Sequence, residues 1–74
     1  MEKYFVSKGK GQHFKREGSY VTIVCQYDFN PSIERNKYDD KLISALECIP
    51  CTKQEYEAAV EKVLVMLDIA LVAA

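Results

Sequence analysis

The chain carries almost no net charge. Ten lysines and arginines meet eleven acidic residues, leaving a formal charge of −1. A charge so close to zero gives no overall electrostatic pull toward nucleic acid or an anionic membrane. A membrane-spanning run is also missing, because a spanning helix needs about 20 consecutive apolar residues. The most apolar stretch, residues 63–74, is preceded by Glu61 and Lys62 and broken by Asp68. Met1-Glu2-Lys3 leads into no apolar segment of the signal-peptide kind. A cytoplasmic protein is therefore expected, in which the three cysteines stay reduced. Lys8-Gly9-Lys10-Gly11 lacks the spacing of a phosphate-binding loop. The single histidine, His13, sits in a polar, basic segment and reads as a solvated sheet-edge residue. Acid–base catalysis has no foothold there, so no enzyme activity and no cofactor are expected.

What is present points to one small globular domain spanning residues 1–74. The composition is 49% hydrophobic and 28% charged, and the chain holds no repeat or low-complexity segment. Domains of this size bury only about 60% of their unfolded surface and are marginal alone. They often depend on disulfides, a metal or a partner.

The clearest local signal is a helix from Thr52 onward. Thr52-Lys53-Gln54-Glu55 has the form of a capping box, in which the threonine oxygen and the glutamate carboxylate satisfy two otherwise orphaned amides. No glycine or proline follows between Lys53 and Ala74. Tyr56, Val60, Val63, Leu67 and Leu71 recur at helical spacing and predict a face for covering a sheet, widened by Leu64 and Ala70. Val65, Ile69 and Val72, with Ala58, form a second stripe roughly opposite the first. A helix apolar on both sides is normally buried on both sides.

Upstream, the pattern reads as strands. Lys3–Ser7 is a short run of strand formers, followed by a glycine turn whose two glycines are free to take positive φ. Gln12–Arg16 predicts a polar strand suited to a sheet edge. Glu17-Gly18-Ser19 is a turn, and Tyr20–Phe29 alternates as a half-buried central strand should. Its Val21, Ile23, Cys25, Tyr27 and Phe29 set is the better candidate to lie beneath the helix. Residues 33–40 read as a charged loop. Lys41–Ile49 fits either a short helix capped by Asp39 or Asp40 or a fourth strand, with the strand slightly favoured. The expected fold is α+β: a small antiparallel meander of three or four strands covered by one long C-terminal helix.

Three constellations bear on function. Val65, Ile69 and Val72 predict a contact between two copies of the chain, because one helical stripe suffices for so small a sheet. Lys8, Lys10, Lys15 and Arg16, interleaved with Tyr4, Phe5, His13 and Phe14, could neutralise phosphates and stack on bases. Cys48-Ile49-Pro50-Cys51 before a helix has the spacing of a thiol-redox pair or, with Cys25 and His13, of a zinc site. Two packed thiols beside a turn is the plainer reading, so no metal ligands are assigned. The sequence therefore predicts a non-enzymatic module that self-associates as a homodimer through its last helix. Nucleic-acid binding by the basic hairpin is the alternative, and thiol or zinc chemistry at Cys48 and Cys51 a further one.

Overall fold

The computed structural model describes residues 2–27 and 30–73, with the side chains of the last helix described as far as Asp68. In chain order the elements are β1 (Glu2–Val6), β2 (Gln12–Glu17), β3 (Tyr20–Cys25), β4 (Ser32–Lys37), α1 (Asp40–Ala45), β5 (Ile49–Pro50) and α2 (Lys53–Ala73). All strands pair antiparallel in one sheet, ordered β4-β3-β2-β1-β5. The architecture is thus an α+β meander packed against a long C-terminal helix, with a fifth strand of two residues added at one edge.

Tight turns set the meander. Gly18 and Ser19 connect Glu17 to its partner Tyr20. The φ of +59° at Gly18, the first central position, is the conformation such a two-residue hairpin demands of a residue without Cβ. In the β1–β2 turn the positive φ falls on Lys10 (+58°), not on either glycine. The amide of Lys10 donates to the Ser7 carbonyl at 2.8 Å, which closes a turn ahead of it. Gly11 serves a different need: a Cβ there would lie 2.6 Å from the Tyr27 ring.

Four expectations are corrected. First, β2 is an interior strand, flanked by β1 and β3, and not an edge. Its charged residues are tolerated because their long stems reach partners: Lys15 meets Glu2 and Glu17, and the Arg16 guanidinium lies 3.7 Å over the Tyr38 ring. His13 is accordingly buried, not solvated. Second, the charged segment around residues 33–40 contains β4, an edge strand whose exposure leaves it without an apolar signature. Third, Lys41–Ile49 is mainly helix. Asp39 Oδ1 accepts from the Lys41 amide at 2.9 Å and caps α1, so only Ile49 and Pro50 remain for β5. Proline, lacking an N–H, suits that outermost position.

The fourth correction concerns the faces of β3. Residues paired directly across an antiparallel ladder share a face. Val6, His13, Val24 and Ile33 make one such row, and Phe5, Phe14, Ile23 and Glu34 lie on the opposite face. Val24 packs with Tyr56, Ala59 and Val63 of α2, joined by Tyr4, Val60 and Leu67. The helix therefore covers the Val24 side, and Val21 and Cys25 face away from it. Phe14 and Val21 are nonetheless fully buried. The chain must pass from the β4 edge to the β5 edge, and that crossing is the segment left to cover their face. It is tied at its start by the Tyr38 amide to Ser19 and at its end by the Lys8 amide to Leu46. Asp28 and Phe29 lie outside the described residues.

The capping box forms as expected. The Glu55 amide donates to Thr52 Oγ1 at 3.1 Å, and the Thr52 amide donates to Glu55 Oε1 at 3.4 Å. Thr52→Ala should lower stability by about 0.5–2 kcal/mol, measured as a shift of the denaturation midpoint at unchanged m-value.

Candidate functional site

The four cations proposed for nucleic acid do not form one surface. Lys15 lies on the α2 side of the sheet and Arg16 on the other, as neighbours in a strand must. Lys15 is engaged by Glu2 at 3.6 Å and Glu17 at 3.4 Å. Arg16 is held over Tyr38 and donates from Nε to the Gly18 carbonyl at 3.1 Å. Lys8 pairs with Glu47 at 3.1 Å, and Lys10 sits in the β1–β2 turn. Sequence proximity grouped these residues, and strand alternation separates them.

The cysteines are dispersed for the same reason. Cys48 and Cys51 flank β5, and three steps of extended chain span about 10 Å, beyond the roughly 4.4–6.8 Å that a disulfide bridges. All three thiols are free. Burial pushes the Cys48 thiol up; burial and then the Glu55 carboxylate push up Cys51. A reactive thiolate needs the opposite shift. His13 faces α2 while Cys25 faces away from it, so the two do not converge on Cys48 and Cys51. Among the described residues no three histidine, cysteine or acidic side chains are grouped to hold a metal ion. Among them, too, no helix is long and apolar enough to cross a membrane.

A polar cluster that sequence spacing could not reveal sits where α2 meets β1. The Tyr4 hydroxyl donates to Glu2 Oε2 at 2.6 Å, and the Tyr4 and Tyr56 rings pack 5.3 Å apart. The bond to Glu2 pushes the Tyr4 phenol up to about 12. The same bond, followed by the Lys15 charge, holds the Glu2 carboxyl below its ordinary value. Burial raises Tyr56. The cluster joins the start of α2 to β1.

The remaining feature is the outer side of α2. Tyr56, Ala59 and Val63 are buried, and Val60 and Leu67 are partly buried against the sheet. Val65 is 58% exposed and Leu64 54%. Leu64, expected to widen the sheet-facing stripe, instead lies on the open flank. At about 100° of turn per residue, Val65 points directly away from the middle of the buried stripe. Ala58, also exposed, lies close to the same line. Ile69 and Val72 continue that line in the sequence, and their side chains lie outside the described residues. No protein-family model matches the chain, and no curated protein or solved structure is significantly similar to it.

The raised tyrosines have a consequence at high pH. The unfolded chain releases phenol protons near pH 10, while the fold retains that of Tyr4 to about pH 12. Between these values the folded state holds more protons, so stability falls as pH rises. The melting temperature should decline through this window, and Tyr4→Phe should make the decline shallower. Equal slopes for the two proteins would show that the Tyr4–Glu2 bond does not couple to folding.

Proposed function

We propose that this protein is a non-enzymatic interaction module that self-associates, two copies meeting through the outer side of α2. The observation that carries this reading is the exposure of Val65, directly opposite the face that covers the sheet, with Leu64 also exposed on one flank. Fully burying an aliphatic side chain of this kind is worth roughly 1.5–3 kcal/mol. Val65 is left 58% exposed by the described part of the chain.

The long sheet edge is a poorer meeting place. A two-fold axis that continues the sheet keeps each face on its own side, so a residue of β4 can oppose only a residue an even number of positions away. The two most extensive self-pairings of β4 then centre Glu34 on Glu34, or Arg35 on Arg35, of the second copy. Like charges directly opposite are destabilising. Edge charge of this kind discourages strand addition.

Nucleic-acid binding through Lys8, Lys10, Lys15 and Arg16 has less support, since Lys15 and Arg16 are committed to opposite faces. A cytoplasmic setting suits three unpaired thiols.

Light scattering of the wild type at tens of micromolar, about the range where weak pairing is populated, should give twice the 8.5 kDa chain mass. Val65→Glu should give the single-chain mass with cooperative melting retained, whereas Val63→Glu, at a fully buried position, should unfold the domain. A monomeric wild type, or a Val65→Glu protein that remains dimeric, would overturn the proposal.

A further inference from the structure

The charges flanking Val65 carry the proposed self-association one step further, to the direction in which the helices run. Glu61, Lys62 and Asp68 are all exposed, and none makes an ion pair within the described residues. By helical spacing, Glu61 lies about 40° to one side of the Val65 line, Asp68 about 60° to the same side, and Lys62 about 60° to the other. Glu61 and Lys62 are consecutive, so they sit at nearly the same height on opposite flanks.

Symmetry turns that placement into a preference. A two-fold axis parallel to the helices exchanges left and right flanks and keeps height. Glu61 of each copy then lies beside Lys62 of the other, which makes two opposite-charge pairs. A two-fold axis perpendicular to the helices keeps the flank and inverts height. Centred on Val65, it sets Glu61 beside Asp68 of the second copy. Centred midway between Ala58 and Val65, it sets Glu61 beside Glu61 and Lys62 beside Lys62. Both antiparallel registers that cover Val65 with described residues therefore bring like charges together, and the parallel one does not.

We infer that two copies of this chain pair their α2 helices in parallel and in register, with Glu61 of each against Lys62 of the other. The inference rests on the self-association proposed above. Rim charges of this sort set partner choice and orientation more than they set affinity, as flanking charges do in two-stranded coiled coils.

The test is the dimerisation constant of the wild type, Glu61→Lys and Lys62→Glu, measured by sedimentation equilibrium at low salt. In the parallel pair each substitution replaces two attractions by two repulsions. Exposed pairs are individually weak, but two are reversed at once, so each variant should dimerise several-fold more weakly. An equimolar mixture of the two variants should recover pairing as a heterodimer, because one chain then presents lysine at both positions and the other glutamate at both. In the antiparallel arrangement centred on Val65, Glu61→Lys would instead meet Asp68 and strengthen pairing. A tighter Glu61→Lys dimer, or no loss in either variant, would overturn the parallel arrangement while leaving self-association standing. A wild-type monomer would remove self-association itself.

Discussion

Everything in this small domain depends on laying α2 across Val24. A five-stranded sheet in a chain of 74 residues has two faces to cover and only one long helix to do it with. Tyr56, Ala59 and Val63 enclose Val24, and the small Ala59 lets the helix backbone approach between the two larger side chains. The capping box fixes where the helix begins. The Cys51 amide bound to the Tyr4 carbonyl at 3.0 Å fixes where it leaves the sheet. With both settled, the helix cannot also supply cover for Phe14 and Val21, and the β4–β5 crossing has to go over their side.

That division of labour leaves the outer side of α2 without an intramolecular partner among the described residues. The same chain that exposes Val65 protects its longest sheet edge with the mixed charges of Ser32–Lys37. The two features work together: one possible route to association is discouraged, and the other is left open. In the proposed self-association the isolated charges beside Val65 would matter more than their modest energies suggest, because at a symmetric contact each counts twice.

The polar interior has its own logic. Lys15 and Arg16 occupy the middle of the sheet and would be costly there as bare charges. Their stems carry the charged ends outward to Glu2 and Glu17 on one face and to Tyr38 on the other. His13 is less well served: its Nδ1 is buried without a hydrogen-bond partner, as is Gln26 Oε1. A buried polar atom left without a partner typically costs about 1–3 kcal/mol.

Local chemistry determined the parts of this fold that are written in neighbouring residues. The cap at Thr52 and Glu55, the turn at Gly18, the first three strands and the sheet-facing stripe of α2 as far as Leu67 can each be read from spacing and residue type alone. Tertiary structure decided what spacing leaves degenerate. Tyr20–Cys25 is apolar on both faces, so periodicity could not say which face the helix would take. Gln12–Glu17 looks like an edge because its charges read as solvent-facing, and only the strand order shows that long side chains carry them out of an interior strand. Residues 32–37 resemble a loop because an exposed edge strand buries too little to leave a hydrophobic pattern. Cys48 and Cys51 resemble a reactive pair until β5 extends the two residues between them. In each case the sequence records which residues can be buried, and the path of the chain across the sheet selects which of them are.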